Sequence, residues 1–279
     1  MAKVIVIGAG PAGIMAAIHA SKKHNVILLD GNDRIGKKLF ITGKGRCNVT
    51  NAKDISEFFD YIPGNPHFLY SALYSYTNED TINFFENAGI KLKTERGGRI
   101  FPMSDKSSDI IKGLSIGLKE ANVQVKLNSK VTNIIYNNDK ITGVEINNTT
   151  KLNGDHFILA TGGASYPLTG SRGEGQKFAK SLGHTIIDLK PSLVPIELNE
   201  PWLKELMGLS LKNISLSILK NNKVVYKNQG EMMFTNYGMS GPLVLSGSRY
   251  VKNDGNYEVS LDLKPALNES ELDKRLQKD

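Results

Sequence analysis

Cysteine is almost absent from this sequence of 279 residues: Cys47 stands alone. One thiol cannot close an internal disulfide, and it excludes zinc sites built on two or more thiolates. A single unpaired thiol suits a reducing compartment. Histidine is scarce too. His19, His24, His67, His156 and His184 never form an H-x-x-x-H pair, so no metal centre is expected. No apolar run reaches the ~18–20 residues that cross a bilayer. The apolar start, Val4 to Ile18, is interrupted by Gly8, Gly10, Pro11 and Gly13. One lysine precedes it and no small-x-small cleavage site follows, so it does not read as a signal peptide. The expectation is a cytoplasmic protein with no membrane partner.

Segregated charge is also missing. The formal net charge is +7, but most Lys and Arg lie among acids and asparagines, as on a solvated face, so nucleic acid is not expected as a partner. One window departs from this. Arg34, Lys37, Lys38, Lys44 and Arg46 fall within 34–46 with no acid between them. Hydrophobic residues at 40% and charged residues at 23% describe an ordinary globular chain, long enough for two domains.

Lys3 to Ile7 is a short β-branched run that reads as a buried parallel strand. Helix formers follow from Ala12 to Ser21, and Asn25 to Leu29 is a second apolar strand. Strand, helix and strand within thirty residues make a βαβ unit of an α/β fold. Helical patterns follow near 66–75, 78–88 and 105–120. Strands are expected at 123–127, 130–136 and 141–146, the last two forming an antiparallel hairpin across Asn137-Asn138-Asp139. Phe157 to Ala160 reads as another buried strand, and a helix is expected from about 173 to 182. After Pro191 the pattern turns to alternating strands at 211–219, 224–226 and 257–263. The predicted organisation is an α/β domain over 1–190, Rossmann-like with an antiparallel appendage, and a β-rich domain over 191–279.

Gly8-Ala9-Gly10-Pro11-Ala12-Gly13 matches G-x-G-x-x-G between the first strand and the first helix, where the pattern has a mechanism. The first glycine permits the tight turn, the second lets a pyrophosphate approach the backbone, and the third lets helix and strand pack closely. Asp30 ends the second strand, where a carboxylate accepts hydrogen bonds from ribose hydroxyls and repels a 2′-phosphate. FAD and NAD both remain open on these residues. A non-catalytic nucleotide-binding chain remains open as well. The loop that follows, from Gly36-Lys37-Lys38 to Thr42-Gly43-Lys44-Gly45-Arg46-Cys47-Asn48, tilts the choice to FAD. Its cations can flank a dianionic pyrophosphate, and an NAD fold needs no long basic loop there.

The start, the segment 43–51, Gly98-Arg99-Ile100-Phe101-Pro102, Ala160-Thr161-Gly162-Gly163-Ala164-Ser165 and the stretch from Gly230 to Thr235 with Gly238 to Pro242 occur in a fixed order. Together they resemble the two-domain NAD(P)/FAD-dependent oxidoreductases named after aminoacetone oxidase, a family that includes a bile-acid-related reductase. The resemblance runs along essentially the whole chain. It implies a flavin-binding α/β domain interrupted by a β-rich domain, and hydride transfer between FAD and a small organic substrate. NAD(P)H is the candidate electron partner. Carried over by position, Gly8, Gly10, Pro11, Ala12 and Gly13 would hold the pyrophosphate, and Asp30 with Gly31 the adenosine ribose. Lys38, Gly43, Gly45, Arg46, Cys47 and Asn48 would line the phosphates and the flavin edge. Val131 would meet adenine through its backbone, and Thr161 and Gly162 would close over the cofactor. Family members continue past the β-rich domain and return to the flavin, whereas this sequence stops at Asp279. The flavin half of the site is therefore expected to be incomplete and the cofactor weakly held. Gly170 to Gly175 reads as a flexible approach to the next helix, with a second anion loop as the alternative. Arg99, Glu231 and Ser240 match family motifs, but no residue is assigned to proton transfer.

Overall fold

The computed structural model of the chain describes residues 1–138, 140–252 and 254–278. Two compact units divide it, Met1–Ile187 and Asp188–Asp279. In the first unit the elements run β1 (Lys3–Ile7), α1 (Pro11–Ser21), β2 (Asn25–Leu29), β3 (Thr50–Asn51), α2 (Tyr70–Ser75), α3 (Asn78–Asn87), β4 (Leu92–Glu95), β5 (Arg99–Pro102) and α4 (Ser107–Glu120). They continue with β6 (Gln124–Lys126), β7 (Val131–Asn137), β8 (Lys140–Ile146), β9 (Thr150–Asn153), β10 (His156–Leu159) and α5 (Glu174–Ser181).

A four-stranded parallel sheet in the order β10-β1-β2-β6 forms the centre of this unit. Side chains alternate across a strand, and β1 uses both faces. Val4 and Val6 join Ile14, Ala17, Ile110 and Leu114 under the helices. Ile5 and Ile7 join Ile134, Val144 and Ile146 of the antiparallel sheet β7-β8-β9. Burial on two faces is why β1 and β2 read as unbroken apolar runs. The β7–β8 hairpin forms as the sequence predicts; of its turn, Asp139 is outside the described residues. The parallel strand at 157–160 is less enclosed than expected. Among the described residues β10 pairs only with β1, which leaves Leu159 44% exposed.

The hairpin β4–β5 has no alternating apolar pattern in the sequence. It closes on Gly97 and Gly98, both left-handed at φ +79° and +76°. The second unit is a five-stranded antiparallel sheet, ordered from β11 (Ile196–Glu197) through β14 (Gly238–Ser240), β13 (Lys223–Thr235) and β12 (Ser210–Lys220) to β15 (Tyr257–Asp262). Helix α6 (Pro242–Ser248) packs Leu243 and Val244 against Ile214, Leu216 and Ile218 of β12. Strand β13 is far longer than residues 224–226, because its polar middle, Lys227 to Gln229, pairs with β12 through the backbone. Helix α7 (Glu269–Leu276) begins at a capping box, Asn268 with Glu271.

Candidate functional site

Strand β1 delivers the chain into the glycine turn at Gly8, whose φ of +106° is open to glycine and strained for any other residue. A Cβ on Gly8 would run into the Ala160 carbonyl oxygen, and one on Gly13 into the Gly8 carbonyl oxygen. Those two glycines let β1, α1 and the end of β10 meet. Gly10 is different: among the described residues, its chain neighbours aside, nothing lies within 4 Å of the place its Cβ would take. Helix α1 starts beside that opening with no side-chain cap and no acid in its first turn. Its first intrahelical bond runs from Ile14 N–H to the Gly10 carbonyl at 2.9 Å. The Ala12 and Gly13 N–H groups therefore lack helical acceptors, and the helix start carries about half a positive charge.

Asp30 stands across the turn. Its Oδ2 accepts the Ala9 N–H at 2.6 Å. Its Oδ1 accepts the Asn32 backbone N–H and side-chain amide, each at 2.8 Å. A cleft of about 640 Å³ runs from this turn, a size suited to a small-molecule or cofactor site. Of the residues singled out in the sequence, Gly8, Gly10, Pro11, Ala12, Asp30, Gly31, Lys38, Val131, Thr161 and Gly162 line it. Gly13 is buried behind the turn.

The segment 43–48 is elsewhere. Gly43, Gly45, Arg46, Cys47 and Asn48 do not line the cleft. The Arg46 guanidinium pairs with Glu95 and, at 2.6 Å, with Asp105, and its carbon sits 4.3 Å above the Phe101 ring. Hydrogen bonds donated to Glu95 and then to Asp105 raise the Arg46 pKa, while those Asp105 accepts from Lys93 and Arg46 lower its own. Cys47 is 1% exposed in the core under the helices, at φ +59°, and burial raises its thiol pKa. Asn48, with its amide turned to satisfy both neighbours, donates to the Thr50 and Ile100 carbonyls at 3.0 and 3.1 Å.

Residues that sequence reasoning missed complete the walls. Asn32, Ser129 and Lys130 line the side near Asp30. Thr169, Gly170, Ser171, Arg172 and Glu174 also face the cleft, so the stretch read as a flexible approach to a helix is a wall of the site. Its signal was the glycine spacing at 170, 173 and 175, where all but Gly175 take positive φ. Lys38 Nζ donates to Ser171 Oγ at 3.0 Å. Among the described residues no group of three or more His, Cys, Asp or Glu side chains could hold a metal ion, and no helix is long and apolar enough to cross a membrane.

Parallel strands, a glycine turn into an uncapped helix start and a carboxylate at the end of the next strand define a Rossmann-type domain. The family model described as the HI0933-like protein Rossmann domain matches residues 2–241. The chain belongs to that family, one of FAD-binding oxidoreductases. It is 31% identical over 284 residues to the 3-dehydro-bile acid delta(4,6)-reductase of Clostridium scindens, a match spanning 98% of this chain and 67% of that protein. It is 32% identical over 270 residues to the ribosomal RNA dihydrouridine synthase of Escherichia coli, spanning 95% of this chain and 66% of that protein. The chain thus spans about two thirds of the length of these curated relatives. Among solved structures, a flavocytochrome c3 fumarate reductase in its open conformation aligns with a TM-score of 0.51 at 22% identity, over 76% of this chain and 47% of that one. That likeness is one of fold.

Proposed function

We propose that the cleft of the first unit holds FAD by its adenosine diphosphate portion, and that the protein is a flavin-dependent oxidoreductase acting on a small unsaturated organic substrate. The observation that carries this reading is one open groove lined by the bare position at Gly10, the uncapped start of α1 and the Lys38 ammonium. Free helix N–H groups and a cation meet a dianionic pyrophosphate. The cleft fits the group: the backbone is bare where phosphate would approach and close-packed behind it, at Gly8 and Gly13. Asp30 and Gly31 would face the adenosine ribose, Val131 the adenine, and Thr161 and Gly162 the far side. The Asp30 carboxylate disfavours a 2′-phosphate, so NADP is not the resident dinucleotide. When bound, FAD supplies hydride transfer; the chain's residues bind it, orient it and shape its surroundings.

The relatives' names support the direction of reaction. One is a reductase, and making a dihydrouridine adds two hydrogens to a uridine. NAD(P)H would be the electron donor, in a cytoplasmic protein without a membrane partner. A second reading follows from the relative named for ribosomal RNA and from the net charge of +7: the unsaturated substrate is a pyrimidine within RNA.

Titration of the protein with FAD, followed by absorbance near 450 nm and competition with ADP, tests the cofactor. FAD should bind, ADP should displace it, and NAD should bind more weakly. Preference for NAD over FAD would overturn the reading. Lys38→Ala should weaken FAD more than Lys23→Ala, although each removes one charge; equal effects would mean that only the general field of the protein acts. Binding of a uridine-containing RNA oligonucleotide at 150 mM salt, with a steep salt slope, would favour the second substrate.

A further inference from the structure

Ser171 is buried, at 8% exposure, in the wall of the cleft. Its hydroxyl donates to the Gly163 carbonyl at 2.7 Å, with the Thr161 carbonyl at 3.2 Å. Between those two residues Gly162 takes φ +73°. A hydroxyl has one proton and two lone pairs. With the proton given to Gly163, the lone pairs face a donor, and Lys38 Nζ supplies it at 3.0 Å. The ammonium also lies 3.5 Å from Ser165 Oγ. Lys37 lines the same cleft, but its ammonium is 3.8 Å from Asp33. A lysine stem is flexible and its ammonium must otherwise be ordered when the anion arrives.

We infer that Ser171 is a positioning residue: its hydroxyl fixes the Lys38 ammonium in the cleft so that the remaining ammonium protons meet the diphosphate of an adenine dinucleotide. This rests on reading the cleft as a dinucleotide site. The loop that carries Ser171 has a separate anchor, because the Asn32 amide donates to the Thr169 carbonyl at 3.2 Å. Removing the hydroxyl therefore frees Lys38 while Asn32 still holds the loop.

The test is calorimetric titration of the full chain and of Ser171→Ala, Lys38→Met and the double variant with ADP and, separately, adenosine. Ser171→Ala should weaken ADP about tenfold, the scale of one hydrogen bond to a charged group, and leave adenosine unchanged. In the Lys38→Met background the same change should have no further effect on ADP. Equal losses for ADP and adenosine, or an undiminished loss without Lys38, would make Ser171 a structural residue and overturn the inference. So would unchanged ADP affinity in Ser171→Ala alongside tight binding to the natural chain; that result spares the reading of the cleft. Failure of ADP to bind the natural chain sinks both. Should Ser171→Ala not fold, Ser171→Cys, of similar size with a poor acceptor, carries the same expectations.

Discussion

The Asp30 carboxylate accepts the Ala9 N–H at 2.6 Å, tying the end of β2 to the glycine turn after β1. On the proposed reading the same carboxylate would also face a bound ribose, holding the turn and the ligand's surroundings together. Each oxygen already accepts from an N–H: Oδ2 from Ala9, Oδ1 twice from Asn32. An asparagine there must point its NH₂ at one of those donors in either amide orientation. Asp30→Asn should therefore fail to rescue Asp30→Ala. Both should lose about ten- to a hundred-fold in FAD or ADP affinity, on the scale of about 1.5–3 kcal/mol for hydrogen bonds to a charged group. Titration calorimetry with a thermal melt of each variant checks this, and near-natural affinity in Asp30→Asn would contradict it.

Arg46 pairs with Glu95 and Asp105 and does not line the cleft, and pH should reveal what that pairing contributes. Hydrogen bonds from Lys93 and then Arg46 lower the Asp105 pKa in the folded state. A depressed carboxylate contributes stability that is present above its unfolded value near 3.9 and is lost as pH falls through the folded value. The melting temperature of the natural chain should fall in that acid window. Asp105→Asn should lower the melting temperature at neutral pH and flatten the acid limb. Arg46→Met should do likewise while leaving ADP affinity intact.

These two residues show how far the sequence could be read. The place of Asp30 was legible, because a carboxylate ending the strand beside a glycine turn has one place to be. Arg46 was not, because a cation in a glycine-rich loop suits a phosphate or an ion pair equally. Its partners Glu95 and Asp105 are 49 and 59 residues along the chain. Strands β1 and β2 were plain from apolar runs buried on both faces. Hairpin β4–β5 was hidden, because Lys93, Glu95 and Arg99 put charge where a half-buried strand would alternate. The wall at 169–174 was underestimated because its contacts to Asn32 and Lys38 are made across more than 130 residues.

Cys47 should behave as a core residue. Its thiol is buried, and burial raises its pKa, so little thiolate is available to react. Ellman's reagent at pH 8 should label the native chain slowly and the denatured chain at once. Cys47→Ala should keep its ADP and FAD affinity. Rapid native labelling, blocked by FAD, would instead place the thiol at the cofactor.

The sharpest separation of fold from binding lies in the three glycines of the turn. At Gly8 a side chain meets the Ala160 carbonyl oxygen in a left-handed conformation, and at Gly13 it meets the Gly8 carbonyl oxygen. Alanine at either position forces backbone apart, a mechanism that produces large destabilisation. At Gly10 the φ is −77° and the surrounding space is empty, so alanine costs the free protein little, within about 0.5–1 kcal/mol. The methyl would occupy the opening beside the uncapped start of α1, where a pyrophosphate needs bare backbone. Gly10→Ala should therefore melt close to the natural chain yet lose most of its affinity for ADP and FAD, while adenosine binding is less affected. Gly8→Ala and Gly13→Ala should lose stability first. Undiminished ADP binding by a well-folded Gly10→Ala chain would move the phosphate site away from the glycine turn.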